Sequence, residues 1–176
     1  KYIEKNYTKE EINVHLFSDH GQSYFDNNNH LLKDGRIKTP WVIMGNGIEQ
    51  KNIINDITEN IDIFPTILKQ NNILDNSLIK KIDGKVPKTL DGEKKEYALT
   101  QSLYPNQTYK MRIDFEDIAI FFETIEKTNY NCQLNNFMDV TCNLEQKINI
   151  NDKLINIRKT EAKKIFNKMA SNLFTK

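Results

Sequence analysis

Residues 12–21, INVHLFSDHG, join a run of β-favouring residues to an abrupt change into polar side chains. Residues 12–18 have the composition of a short strand, and the glycine at position 21 permits a sharp turn directly after it. In open α/β sheets, ligands bind beyond the carboxyl ends of the strands. The stretch therefore predicts a buried strand that ends at a functional site made by Asp19 and His20.

The two polar residues at the end of this strand are suited to metal binding. Asp19 offers hard carboxylate oxygens and His20 offers an imidazole nitrogen, a combination that fits Zn²⁺, Mn²⁺ or a mixed-ligand Ca²⁺ site. Taken alone, the same tripeptide is also compatible with an Asp that caps a turn and a His that lies in a polar loop. Two ligands do not complete a metal site, so further ligands are needed.

Working outward, the next segments alternate between loop, strand and helix. Residues 22–36 are rich in Asn, Asp and Gly and are predicted to form a loop that can include a turn of helix. Residues 41–44, WVIM, are predicted to form a second strand. A helix is predicted over residues 63–70, with Asp62 as its N-cap and Pro65 in its first turn. His15, inside the first strand, is expected to be a hydrogen-bonded structural residue.

From residue 83 the pattern changes to strands that are close together in sequence. Residues 96–103, 108–114 and 118–124 favour strands separated by turns, which predicts an antiparallel meander. Residues 127–151 are Asn-rich and lack a clear pattern. At the C-terminus, apolar residues recur at helical spacing and predict an amphipathic helix of about 20 residues that packs on the meander. These apolar residues are Leu154, Ile157, Ile165, Phe166, Met169, Leu173 and Phe174.

Composition excludes several classes of function. The chain has 176 residues with 25 Lys and Arg against 24 Asp and Glu, so its net charge of +1 gives no electrostatic reason to bind nucleic acid. No apolar run approaches the roughly 18 residues that a membrane-spanning helix needs, and we expect no membrane segment in this stretch. Cys132 and Cys142 lack the spacing of a zinc site, and a disulfide or two free thiols are both open.

Several short motifs follow one another in an order that resembles a known family. After SDHG come Lys38-Thr39-Pro40, then WVIMGNGI, then DIFPT within residues 62–66, and then IDGKVPKTLDGE. Over about residues 12–92, this order resembles the carboxy-terminal landmarks of the sulfatase-like family in the alkaline-phosphatase superfamily. The resemblance implies an α/β fold in which residues 1–92 form the carboxy-terminal part of an alkaline-phosphatase-like α/β/α sandwich. Residues 93–176 would then form a small antiparallel-sheet subdomain with a C-terminal helix.

The resemblance also assigns roles to individual residues. Asp19 matches the metal-binding Asp of the family, and His20 matches the next position, which is Asn or His in the family. The family usually places a Lys or His about ten residues before the proline of the basic-x-Pro motif, where it contacts the ester oxygens or the metal. His30, ten residues before Pro40, is the first catalytic candidate, and Lys33 is the second.

The activity implied by the resemblance is metal-dependent hydrolysis of a sulfuric or phosphoric ester of a sugar, a lipid headgroup or a small molecule. The divalent metal would be Ca²⁺ in a sulfatase, and Zn²⁺ or Mn²⁺ in a phosphatase or a transferase. The alternatives are a phosphoethanolamine-type transferase of the same superfamily and a non-catalytic scaffold module. A periplasmic or envelope-associated location is favoured by the resemblance.

The family's nucleophile is expected outside this stretch. A Cys/Ser-x-Pro-x-Arg motif does not occur in residues 1–176. We therefore expect these residues to be the carboxy-terminal portion of a larger enzyme, with the amino-terminal half of the same enzyme as the required partner. Alone, the portion is expected to be inactive, because the nucleophile and an acidic metal ligand belong to the missing half. It is also expected to be unstable, because the strand that carries Asp19 would lack its parallel neighbours.

Overall fold

The computed structural model describes residues 2–8, 11–22, 32–46, 48 and 53–175. The chain divides into two compact units. The first comprises Lys1–Asn27 and Asp34–Lys95, and the second comprises Asn28–Lys33 and Glu96–Lys176. The second unit therefore includes a short segment from the early part of the chain, of which Leu32 and Lys33 are described. The division of the chain into a catalytic domain over residues 1–92 and a subdomain over residues 93–176 stays a prediction.

The first unit contains short helices and two strands. In chain order, the elements are α1 (Tyr2–Asn6), β1 (Val14–Phe17), α2 (Asp34–Ile37), β2 (Trp41–Met44), a 3-10 turn (Asn60–Asp62), α3 (Ile63–Gln70), α4 (Asn76–Ile79) and a second 3-10 turn (Lys88–Leu90). The positions of the two predicted strands and of the predicted helix are therefore confirmed. The first strand is not buried as expected, because Leu16 and Phe17 are 65% and 49% exposed. The predicted loop over residues 22–36 lies mostly outside the described residues, and its described end forms α2.

The two strands of the first unit pair with each other in antiparallel register. The pairing runs from Val14 opposite Met44 to Phe17 opposite Trp41. In the part of the chain that the structure describes, β1 therefore pairs with an antiparallel strand. The parallel neighbours of a sandwich were expected outside residues 1–176. The α/β/α sandwich stays a prediction for this unit.

The residue before α3 does not have the role that the sequence predicts for it. Asp62 was the expected N-cap, but its backbone is already helical, with φ −79° and ψ −15°, and its side chain makes no capping hydrogen bond to α3. An N-cap side chain reaches the helix amides from an extended backbone. A 3-10 turn that runs directly into α3 removes that extended residue. Asp62 therefore lies at the predicted N-cap position, but its side chain does not cap the helix.

The second unit is a four-stranded antiparallel sheet with one long helix. The strands are β3 (Ala98–Ser102), β4 (Thr108–Asp114), β5 (Ile118–Lys127) and β6 (Val140–Gln146), in the order β3-β4-β5-β6. The first three strands confirm the predicted meander. The fourth was missed although Val140, Cys142 and Leu144 alternate with polar residues, because this short alternation lies within the Asn-rich stretch 127–151 and six of the seven residues are exposed.

The predicted C-terminal helix is confirmed as α5, Asp152–Phe174, and it packs on the sheet. The side chain of Asn151 caps it by accepting a hydrogen bond from the amide of Leu154 at 2.9 Å. The ring of Phe166 lies 4.8 Å from that of Phe122 and 6.1 Å from that of Tyr109. Aromatic side chains from two strands and the helix therefore form the centre of the core.

The structure answers the question that the sequence left open about the two cysteines. Cys132 and Cys142 are both free thiols, so they do not form a disulfide with each other. Within residues 2–175, as far as they are described, no helix combines the length and the hydropathy needed to cross a bilayer.

Candidate metal site

Asp19 and His20 follow β1 after one intervening residue, Ser18, and their side chains face each other. Oδ2 of Asp19 is 3.7 Å from Nε2 of His20. Both side chains are open to solvent, with 86% of Asp19 and 51% of His20 exposed. The structure thus brings the two predicted metal ligands together at an accessible surface, and their role as ligands stays a prediction.

The ring of His20 is oriented by the residue that follows it. Its Nδ1 lies 2.8 Å from the carbonyl oxygen of Gly21. A carbonyl oxygen only accepts, so Nδ1 carries the hydrogen, and the neutral ring then has its lone pair on Nε2. A histidine that binds a metal typically donates its other N–H to a carbonyl or a carboxylate in this way. The nitrogen that faces Asp19 is therefore the one able to bind a cation.

The carboxylate of Asp19 is held by local hydrogen bonds. Its Oδ1 accepts from the backbone amide of His20 at 2.9 Å and from the hydroxyl of Ser18 at 3.3 Å. The amide of His20, and then the attraction of the His20 ring in its charged form, lower the pKa of Asp19 below its usual value. A lowered pKa keeps the carboxylate charged at neutral pH, as a metal ligand must be.

The spacing of the two groups fits a shared cation. Ligand atoms about 2.1 Å from a tetrahedral metal are about 3.4 Å apart, close to the separation of Oδ2 and Nε2. Among the described residues, however, no group of three or more His, Cys, Asp or Glu side chains could hold a metal ion. A cation held by Asp19 and His20 would therefore need further ligands from outside the described residues.

An amide that the sequence did not single out holds the backbone of this turn. Nδ2 of Asn60 donates to the carbonyl oxygen of Asp19 at 3.1 Å and to that of Ser18 at 3.3 Å. Asn60 begins the 3-10 turn that precedes α3. Residues 48–61 have no clear periodicity in sequence. The one feature that could have pointed to a role for Asn60 is its position two residues before the Asp of the DIFPT motif.

The 3-10 turn is itself fixed by a buried ion cluster around Asp62. The carboxylate of Asp62 accepts from the backbone amides of Glu59 and Lys85 at 2.8 and 2.7 Å, and both of its oxygens lie 2.8 Å from Nζ of Lys95. Lys95 also binds Glu59 at 2.5 Å. Asp62 is only 1% exposed. The residue predicted as a helix cap instead ties three parts of the first unit together.

Gly21 is required by a close approach of two backbone segments. Its amide donates to the carbonyl oxygen of Arg36 at 2.6 Å, and a Cβ at position 21 would lie 2.2 Å from the carbonyl oxygen of Gly35. Any side chain at position 21 therefore pushes the turn away from α2.

We expect Gly21→Ala to destabilise the first unit by about 1–3 kcal/mol, because a backbone atom cannot yield as a flexible side chain can. Differential scanning calorimetry of the full-length protein measures the effect. The matched control is Gln22→Ala at the exposed neighbouring position, which should change stability by less than about 0.5 kcal/mol. Equal melting temperatures for the two variants would contradict the packing of Gly21 against α2.

The other predicted site residues have different outcomes. His30 lies outside the described residues. Lys33 is described and half-buried, and it belongs to the second unit, whereas Asp19 and His20 belong to the first. His15 is confirmed as a structural residue, because its Nδ1 accepts from the indole N–H of Trp41 at 3.2 Å and its Nε2 lies 2.6 Å from Oε1 of Gln70.

A comparison with known protein families finds a match that includes the turn after β1. Residues 1–73 match the family model described as Sulfatase. The resemblance to the sulfatase-like family is thereby confirmed over these residues. The sulfatase match includes SDHG, Lys38-Thr39-Pro40 and DIFPT, whereas residues 74–92, with the last of the proposed landmarks, lie beyond it. Searches of curated proteins and of solved structures find no match to the chain.

Proposed function

We propose that this chain is the carboxy-terminal part of a metal-dependent sulfuric ester hydrolase, in which Asp19 and His20 hold a divalent cation. The observation that carries the proposal is the sulfatase match over residues 1–73, with an exposed Asp–His pair at the centre of its most informative motif. The lone pair on Nε2 of His20 and the charged carboxylate of Asp19 supply the donor types that such a cation binds.

The reaction would cleave a sulfate monoester with water. The S–O bond to the leaving group breaks, and the products are an alcohol and hydrogen sulfate. A bound divalent cation neutralises negative charge on the ester oxygens and so lowers the barrier to attack. In this proposal, Asp19 and His20 fix the position of that charge, and Asn60 and Gly21 fix the turn on which the two ligands lie.

A cationic side chain near the ester would complete the electrostatics. Lys33 carries an ammonium group that can donate hydrogen bonds to the ester oxygens or protonate the leaving oxygen, and His30 can act in the same way. The nucleophile and the remaining metal ligands are expected in polypeptide outside residues 1–176. In this scheme, Ca²⁺ would be the metal for sulfate esters, and Zn²⁺ or Mn²⁺ would serve phosphate esters.

A panel of aryl esters tests the proposal. Full-length protein that contains these residues is assayed with an aryl sulfate, an aryl phosphate and an aryl phosphodiester, before and after treatment with EDTA and after addition of Ca²⁺, Mn²⁺ or Zn²⁺. We expect aryl sulfate hydrolysis that EDTA abolishes and one of the cations restores. Turnover of phosphate esters alone would replace sulfate by phosphate as the substrate class. Turnover of none of the three would refute the hydrolase.

A further inference from the structure

An arginine in the sheet of the second unit is fully buried together with its charge. Arg112 on β4 is 0% exposed. Its Nε and one terminal nitrogen donate to the two carboxylate oxygens of Asp114 at 2.6 and 2.7 Å. Its guanidinium also stacks over the ring of Phe121, 4.9 Å from the centroid. The guanidinium is therefore held in one orientation.

The remaining nitrogen of this guanidinium contacts a residue from the early part of the chain. The other terminal nitrogen of Arg112 donates to the carbonyl oxygen of Leu32 at 2.9 Å, across 80 positions of sequence. Leu32 is itself buried, with only 2% of its surface exposed. Lys147 also contacts the carboxylate of Asp114, at 2.8 Å. Because Asp114 holds the guanidinium of Arg112 by two hydrogen bonds, the third nitrogen of Arg112 is a fixed donor to the backbone at Leu32. The contact anchors the loop at Leu32.

The residue directly after this anchor is Lys33, one of the two catalytic candidates. We propose that Arg112 is a positioning residue for the ester chemistry, and that it acts by fixing the backbone from which the side chain of Lys33 extends. The inference rests on the proposed function. The anchor lies wholly within the second unit, because Leu32, Lys33 and Arg112 all belong to it.

Two variants weaken the anchor from opposite sides. Arg112→Lys keeps a positive charge beside Asp114 but loses the forked geometry that reaches Leu32. Leu32→Ala keeps the carbonyl acceptor but removes the buried side chain that holds the loop. The control is Arg158→Lys, because Arg158 also stacks on a ring, 4.7 Å above Phe115, and pairs with Asp117 at 3.3 Å.

Limited proteolysis tests the anchor without reference to activity. Full-length protein is digested with trypsin, and cleavage after Lys33 is followed by mass spectrometry. We expect Arg112→Lys and Leu32→Ala each to accelerate this cleavage at least about tenfold, since the loop opens more often once its anchor is weakened. Arg158→Lys should leave the rate unchanged. Equal rates in the wild type and both anchor variants would overturn the inference.

Turnover of an aryl ester tests the link to Lys33. We expect Arg112→Lys to lower kcat about tenfold in the folded protein, because a small displacement of a catalytic group is costly. If Arg112 acts through Lys33, adding Arg112→Lys to Lys33→Ala lowers kcat no further. A further tenfold loss in the double variant would show that Arg112 does not act through Lys33. If the wild type hydrolyses no ester, the proposed function fails. The rate of tryptic cleavage after Lys33 then decides whether Arg112 anchors the backbone at Leu32.

Discussion

If the proposed function holds, we expect Asp19→Asn to lower the metal-dependent ester turnover of the full-length protein by about 100-fold or more. The amide oxygen of Asn can still accept from the backbone amide of His20, but the negative charge that binds the cation is lost. Because the Asp19 side chain is 86% exposed, the stability of the fold should change little. The measurement is kcat/KM as a function of metal concentration, together with the melting temperature.

The matched control for this variant is Asp75→Asn. Asp75 is an exposed carboxylate of the same unit that accepts from the backbone amides of Ser77 and Leu78 at 2.8 and 2.9 Å. These hydrogen bonds, with that of Leu78 the largest, lower the pKa of Asp75, as the His20 amide lowers that of Asp19. Asn caps helices as well as Asp does, so turnover should stay at the wild-type level. A similar loss in both variants, or full activity in Asp19→Asn, would contradict the role of Asp19.

Lys95→Met lowers the free energy of unfolding of the first unit by about 3–5 kcal/mol. Met has a similar length, but it leaves the carboxylates of Asp62 and Glu59 without their shared cation. The side chains of Asp62, Lys95 and Glu59 are only 2%, 12% and 18% exposed, so solvent cannot replace the lost charge. Urea denaturation followed by a probe in the first unit measures the change.

The control is Lys85→Met, which removes the ion pair of Lys85 with Glu93 at 2.8 Å. These side chains are 48% and 75% exposed, and an exposed pair contributes about 0–1 kcal/mol. The backbone amide of Lys85 still donates to Asp62 in this variant. If the two lysine variants lost equal stability, the buried cluster would not be what holds the 3-10 turn and Asn60.

The local pattern of apolar and polar residues was sufficient to predict the bounds of several helices and strands. The second strand, the helix after DIFPT and the strand Thr108–Asp114 have the predicted bounds, since each combines an apolar pattern with a clear start or stop signal. The sequence also predicted that the side chains of Asp19 and His20 lie close together, because adjacent residues in a tight turn can face each other.

Features that depend on distant parts of the chain could not be predicted. The cluster of Asp62 needs Lys95, 33 positions away, and Arg112 meets Leu32 across 80 positions. Each of these contacts is decided by tertiary packing, and a single sequence carries no signal of which long-range partner a buried charge selects.

The most direct test of the central claim is a crystal structure of the full-length protein grown with Mn²⁺, with anomalous diffraction recorded at the manganese edge. Our account predicts an anomalous peak about 2.0–2.4 Å from a carboxylate oxygen of Asp19 and from Nε2 of His20. A crystal in which Mn²⁺ occupies another site while this pair stays unbound, or in which no peak lies near Asp19, would contradict it.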